Sequence, residues 1–284
     1  MYHYTDFNAF KGIVENKEFW LSSSLQMSDP LDRQHASLCL KRMVFDDNCD
    51  FFSELRESLS KDLINNIFAQ NDAIPFYSAS FCESENEYLW KKYAKEYTGI
   101  RICFEKNIFE EYMQNIKYDN ELTMGFNLLN FREIKYGNGK EYIEKVGEDI
   151  KNLYDGDNKW YYWLELLIFI VAGTIKCKIY SEEREYRLLF KNIYSQQYIK
   201  SIPALYASFN KFQKYSNKSI MERLGLVNPI KDPKEHYALN FSDFFMANCI
   251  SEITIGRNSS HDINEIETML NKNNIKNVKV VKQG

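Results

Sequence analysis

Two carboxylates stand two residues apart in the late run Ser181-Glu182-Glu183-Arg184-Glu185-Tyr186-Arg187. Read as strand, the alternation puts Glu183 and Glu185 on one face and Arg184 on the other. Like carboxylates that close raise the pKa of one of them unless a cation sits between, and Lys176 and Arg187 are at hand. Such a pair can steady a developing oxocarbenium-like cation with one member while the other acts as base on an acceptor. The competing reading is a charged edge strand that guards against aggregation. His3, on what reads as the first strand, is a second candidate, against a structural hydrogen-bonded histidine. Trp90 and Tyr93, at i, i+3 on a helix, are a third, against an ordinary core stripe.

Other chemistries lack their patterns. The four histidines, His3, His35, His236 and His261, lie far apart, with no H-E-x-x-H and no Cys/His zinc spacing, so no metal is expected. Gly137-Asn138-Gly139-Lys140 has neither the length nor the Ser/Thr of a phosphate-binding loop and reads as a tight turn. No G-x-G-x-x-G or G-x-S-x-G occurs. A nuclease-like metal site would have to be assembled from Asp29, Asp32, Glu183 and Glu185 with Lys176. Asp29-Pro30 reads as a turn initiator. Gly256-Arg257 is either a strand–helix turn or an anion site.

The elements that must position these groups follow from periodicity. Tyr2–Thr5 reads as a strand, and Phe10, Ile13 and Val14 give Asn8–Asn16 a helical stripe. Phe19–Ser22 is a second strand, followed by a polar loop over Ser23–Arg33. Helical periodicity covers Gln34–Phe45 and Asp50–Gln70. Phe76–Cys82 alternates as a strand. Ser84-Glu85-Asn86-Glu87 has the capping-box form, opening a helix striped by Leu89, Trp90, Tyr93, Ala94 and Tyr97, which Thr98-Gly99 stops with a left-handed glycine. A strand at Ile100–Glu105 precedes a polar, mainly helical stretch, and Trp160–Ile175 is a buried core helix interrupted by Glu165. Cys177–Tyr180 and Tyr186–Phe190 read as strands. Ile199–Tyr237 is mixed, broken by Pro203, Pro229 and Pro233. Strand Glu252–Ile255, helix Asp262–Asn273 and strand Val278–Val281 close the chain. The expectation is one α+β domain over residues 1–284, with a central mixed or antiparallel sheet and a helical insertion at roughly 106–160.

Composition sets the outer bounds. The chain has 284 residues, 44% hydrophobic and 27% charged, so it can bury a sizeable core. Only 11 Gly and 5 Pro disfavour a turn-dense sandwich. A net charge of −4 argues against a surface that grips nucleic acid all over. Six scattered cysteines and no visible secretory or membrane-spanning segment lead us to expect reduced thiols, no membrane and a cytoplasmic protein. The unusual number is 15% aromatic, 20 Tyr, 20 Phe and 4 Trp. Much of it falls at core spacing, leaving at most one aromatic-walled pocket.

Four segments together carry a resemblance. They are Tyr2-His3-Tyr4-Thr5 with Phe19-Trp20-Leu21-Ser22-Ser23; Ser28-Asp29-Pro30-Leu31-Asp32; Ser80-Phe81-Cys82 with Leu89-Trp90-Lys91-Lys92-Tyr93-Ala94 and Gly99; and Lys176, Tyr180 and Glu183–Arg187 with the closing Glu252–Gly256. In order and spacing they resemble a large prokaryotic family of unknown function, whose members read HYT, FNDP, SF with LWxxYAxxxxG, KxxxWxxExEWR and IxxIxxG. Met27-Ser28 and Tyr180 depart from that pattern. The opening strand also resembles the first motif of ADP-ribosyltransferases, including those that modify DNA. That resemblance implies an ADP-ribosyltransferase-like sheet and NAD as substrate.

It implies residue roles as well. His3, with Tyr4, Thr5 and Ser22 beside it, would hold the NAD ribose. Tyr93, or a nearby aromatic such as Tyr77 or Trp90, would stack on nicotinamide. Glu185 would hold the ribose 2′-hydroxyl, Glu183 would complete an E-x-E pair, and Arg187 would serve the same pocket. The function so implied is an NAD-consuming transferase or glycohydrolase, of a kind that serves as a bacterial defence or toxin effector, whose acceptor is a protein or a nucleic acid. The alternative is a non-catalytic nucleotide or nucleic-acid binding module that uses the aromatics for stacking.

Overall fold

Period-2 alternation of large apolar and polar residues builds the centre of the molecule. In a computed structural model the chain is described at residues 1–27, 30–118, 129–152, 156–191, 224–226, 228–231 and 234–284. Among them the main sheet has nine strands: β1 (Tyr2–Thr5), β2 (Glu18–Ser23), β3 (Tyr77–Cys82), β4 (Ile100–Phe104), β5 (Leu129–Glu133), β8 (Glu185–Phe190), β9 (His236–Asn240), β10 (Ile250–Ile255) and β11 (Lys279–Lys282). The order is β11-β10-β4-β1-β3-β2-β9, with β8 on β3 and β5 on β8. Only β10 and β11 run parallel; the other pairs in this sheet are antiparallel. A separate parallel pair joins β6 (Lys135–Tyr136) to β7 (Ile175–Lys176).

One face of the sheet is apolar. Phe19, Leu21, Phe81, Ile102, Phe104, Leu188 and Phe190 are buried on it. It is covered by α1 (Phe7–Asn16), α6 (Lys106–Tyr118), α9 (Asp243–Cys249) and α10 (Ile263–Lys272) through Phe10, Val14, Phe109, Phe245 and Ile266. The aromatic excess is spent largely here. Phe19, Phe81, Phe104 and Phe109 meet edge-on or tilted at centroid distances of 5.2–6.1 Å, the arrangement ring quadrupoles favour.

A second core is mainly helical. It packs α2 (Pro30–Val44), α3 (Ser53–Ser58), α4 (Lys61–Asp72), α7 (Lys140–Ile150) and α8 (Lys159–Val171) around Leu40, Phe52, Phe68, Ile143 and Trp163. The Trp163 indole donates to the Gly147 carbonyl at 2.9 Å, so the ring is buried without an unpaired N–H. Helix α8 has 13 residues, and no helix among the described residues is long and apolar enough to cross a membrane. All six cysteines are free.

The α+β class and the mostly antiparallel sheet stand as expected, and several local readings change. The stretch 106–160 is not a helical insertion alone, because β5 leaves it to pair with β8 in the main sheet. Ser84 does not cap α5 (Glu87–Lys92); the Asn86 side chain does, accepting from Tyr88 N–H at 2.8 Å. Lys95, Glu96 and Tyr97 make the left-handed turn after α5, relieving Gly99 of that role. Pro30 starts α2 inside the expected loop, as its fixed φ and missing N–H suit a helix's first position. The expected strand at Cys177–Tyr180 is a 3-10 turn, Lys178–Glu183. Asp29, and residues 199–223 of the expected mixed region, lie outside the described residues.

Gly99 is instead required by close approach. A Cβ there would lie 2.2 Å from the Thr5 carbonyl oxygen and 3.0 Å from Ala94 Cα, both backbone. Gly99→Ala should therefore cost about 1–3 kcal/mol in urea unfolding, the range of an overpacked interior. A change below about 0.5 kcal/mol, the scatter of neutral surface substitutions, would refute that account.

Candidate functional site

The polar face of the sheet is where the chemistry collects. Strands β1 and β2 share one edge of β3 and diverge: Tyr2 pairs with Cys82, whereas Ser22 and Ser23 pair with Ser78 and Tyr77. The other edge of β3 is taken by β8 along its whole length. Alternation then places Tyr2, Tyr4, Ser22, Ser78, Ser80, Glu185 and Arg187 on one face. Helices α2 and α5 flank that face, and a cleft of about 290 Å³ opens between them.

At its floor lies a buried charge cluster. Lys176 Nζ is 2.6 Å from Glu183 Oε2, 3.1 Å from Glu185 Oε2 and 3.4 Å from Asp32 Oδ2. Arg187 Nε donates to Glu185 Oε1 at 2.6 Å, and its Nη2 reaches Asp32 Oδ2 at 2.7 Å and Glu185 Oε2 at 3.0 Å. The Ser80 hydroxyl also donates to Glu185 Oε1, at 2.5 Å. Each Glu185 oxygen thus accepts two hydrogen bonds. Glu183, which lines the cleft, differs: Oε2 is held by Lys176, but the buried Oε1 accepts no hydrogen bond among the described residues. Lys92 Nζ stands 3.7 Å from it.

The two glutamates meet, though not by strand alternation. Glu183 ends the 3-10 turn and Glu185 begins β8, and Arg184 between them is left-handed at φ 42°. That reversal, with Glu185 N–H donating to the Tyr136 hydroxyl at 2.8 Å, aims both carboxylates at Lys176.

Burial alone would raise the pKa of Glu185, but Arg187, Lys176 and the Ser80 hydroxyl together hold it at about 2. Burial likewise works against the Lys176 ammonium, and its carboxylate partners overcome it and raise the pKa. His3 is pushed down by burial. Since the Ser80 carbonyl can only accept, His3 Nδ1 carries the proton of their 2.8 Å bond, leaving Nε2 as the acceptor of the neutral ring.

Of the residues singled out in the sequence, His3, Tyr4, Ser22, Tyr93, Glu183, Glu185 and Arg187 border the cleft. His3 does so from the other face: its ring wedges between Phe19 and Phe81, at 5.3 and 5.4 Å, and reaches the cleft where β1 and β2 part. Tyr4 offers little of its hydroxyl, which already accepts the Asn86 N–H at 3.1 Å.

Three of the residues singled out in the sequence do not line the cleft. Trp90 is fully buried against Tyr4 and Tyr97, its indole N–H on Glu85 Oε1 at 3.3 Å, because the stripe with Leu89 faces the core. Thr5 is buried at the far end of β1, paired with Ile100, off the cleft wall. Tyr77 lies on the apolar face, its hydroxyl donating to Glu235 Oε1 at 2.7 Å.

Set against family models, curated proteins and solved structures, the chain matches none. The site is therefore read from its own geometry.

That geometry adds Ser80, Lys92 and Trp20 to the site, and it gives a central place to Asp32 and Lys176, which the sequence offers only as parts of an alternative metal site or as a nearby cation. Asp32 had a signal, an acid two positions after a proline that can open a helix. Trp20, 47% exposed, stacks on His236 at 4.0 Å and lines the cleft mouth. No group of three His, Cys, Asp or Glu side chains among the described residues could hold a metal ion. Asp32, Glu183 and Glu185 converge on an ammonium instead.

The cluster makes stability depend on acid. A carboxylate with depressed folded pKa stabilises the fold fully above its ordinary value near 4.5, and that contribution fades as pH falls towards about 2. A displacement of that size corresponds to roughly 3 kcal/mol. Glu185→Gln leaves Arg187 and Lys176 undercompensated and should cost about 3–5 kcal/mol at pH 7. In guanidinium unfolding the gap between parent and variant should narrow at pH 3. A gap that is equal at both values would contradict this reading.

Proposed function

We propose that the protein is an NAD-consuming enzyme, a glycohydrolase or ADP-ribosyltransferase, with a sheet of ADP-ribosyltransferase-like type. The observation that carries this reading is the convergence of His3, Tyr93, Glu183 and Glu185 on one cleft, with His3 and Glu185 both bonded to Ser80. A volume of about 290 Å³ suits the nicotinamide riboside half of NAD better than the whole dinucleotide, so the rest would extend outward past Trp20.

The chemistry asks little of the protein. As the bond from the ribose anomeric carbon to nicotinamide breaks, its electron pair passes to the ring nitrogen and neutralises the pyridinium. Positive charge moves onto the ribose, where a fixed carboxylate stabilises it. Glu183 Oε1 is the oxygen with spare acceptor capacity for a ribose hydroxyl. Glu185, ionised and saturated, supplies a fixed field rather than a base. The acceptor that then bonds to the anomeric carbon and gives up its proton is water, a protein or a nucleic acid.

The binding-module reading draws support from one fact, the saturation of Glu185, since a group that accepts four hydrogen bonds can be purely structural. Incubation with NAD separates the two. The enzyme reading expects nicotinamide release, and Glu183→Gln should lower kcat/KM by about 100-fold with circular dichroism unchanged, the usual cost of losing one transition-state partner. NAD binding without release would favour the module. Neither binding nor release would refute both NAD readings.

A further inference from the structure

Lys92 is placed oddly for a surface lysine. Its ammonium lies 4.9 Å from the centre of the Tyr93 ring, 5.3 Å from Tyr88 and 5.7 Å from Tyr180. It stands beside Glu183 Oε1, yet at 3.7 Å it makes no hydrogen bond there. The lysine side chain is 31% exposed, whereas the glutamate is 4% exposed. A partly exposed cation thus covers a buried, underused carboxylate oxygen within an aromatic collar.

The charges at the cleft floor say what belongs in that seat. Asp32, Glu183 and Glu185 carry three formal negative charges, and Lys176 and Arg187, both buried among them, carry two positive ones. Without Lys92 the floor has a residual charge of −1. Ring faces and a net negative floor both attract a monocation and disfavour an anion such as phosphate.

We propose that the space between Tyr93, Tyr180 and Glu183 Oε1 is a binding site for a planar organic monocation bearing a hydrogen-bond donor, and that Lys92 occupies it as an internal competitor in the free protein. The ring walls hold the cation, and Glu183 Oε1 takes the donor. The site stands on its own geometry; its occupation by the oxidised nicotinamide ring, with its carboxamide N–H on Glu183, rests on the NAD reading above. On that reading the collar selects NAD over its reduced form, whose nicotinamide ring is uncharged.

The competitor also has a cost that an experiment can read. Burial would lower the Lys92 pKa, but the Tyr88 and Tyr93 hydroxyls and Glu183 raise it, so the lysine stays charged across the physiological range and vacates only by swinging out. A ligand that must wait for a seat open a tenth of the time binds about tenfold more weakly.

The test titrates the full chain with ring-methylated nicotinamide, a pyridinium cation, and with neutral nicotinamide, by calorimetry and tyrosine fluorescence. The cation should bind at least about tenfold more tightly than its neutral analogue. Lys92→Met should tighten it about tenfold further, because the competitor is gone. Glu183→Gln should weaken it, and Lys92→Met carries the test should that variant not fold. Equal affinity for the neutral ring, no cation binding, or no tightening in Lys92→Met would each overturn the proposal. If the cation binds as expected but NAD is not cleaved, the NAD reading falls and the cation site stands. If NAD is cleaved with no charge selection and no effect of Lys92→Met, the cation site falls alone.

Discussion

Arg187 holds the molecule's two cores in register. Its guanidinium, on β8 in the middle of the sheet, pairs with Asp32 in the first turn of α2 and also reaches the Gly173 carbonyl just after α8. An arginine 1% exposed survives only if its donors are met, and here they are met from both layers. The helical layer could not slide along the sheet without stranding that charge, which would cost several kcal/mol. Lys176 repeats the constraint from β7, bonded to carboxylates of α2, the 3-10 turn and β8. The ion cluster thus sets the distance between the layers, and the cleft is the space left beside it.

The cleft exists because β3 cannot satisfy two partners along one edge. Strand β1 continues towards β4 and β2 towards β9, so between their contacts with β3 a stretch of that edge lacks a strand. His3 answers with an imidazole N–H on the Ser80 carbonyl and a ring between Phe19 and Phe81. This is a structural task, and it also presents the ring's other nitrogen at the point where the polar face opens. The structural and functional readings of His3 are therefore compatible, since the packing that locks the ring is what gives it a fixed direction.

What the sequence made legible follows the range of each signal. Strand β1 is found at its read bounds and α1 within one residue, because a period-2 or period-3.6 pattern is local. The meeting of Glu183 and Glu185 was legible from their types and from the cations nearby. Its cause was not, because the left-handed Arg184 is set by tertiary contacts and not by a residue that favours φ above zero. Trp90 and Tyr93 show the same limit. Trp90 lies within one short helix and Tyr93 is its C-cap, and tertiary packing leaves Trp90 buried in the core and Tyr93 42% exposed at the cleft. Lys92 was invisible as a site member because its partner Glu183 lies 91 residues away, and Asp32, legible only as part of an alternative acidic site, finds its arginine 155 residues away.

The division of labour between the two glutamates follows from donor counting. Four hydrogen bonds fill Glu185, and a carboxylate with a pKa of about 2 gives up almost none of its charge to a substrate proton. It can shape the field of the cleft but can hardly act as a base. Glu183 shares Lys176 yet keeps one oxygen in reserve. The same saturation governs which part of a charged ligand can enter. Lys176 and Arg187 are already committed to three carboxylates, so among the described residues an anionic group finds no unclaimed cation at the floor, and Lys92 meets it only on leaving its seat beside Glu183. On the proposed reading, a ligand with a positive end and a negative end would enter cation inward and anion outward.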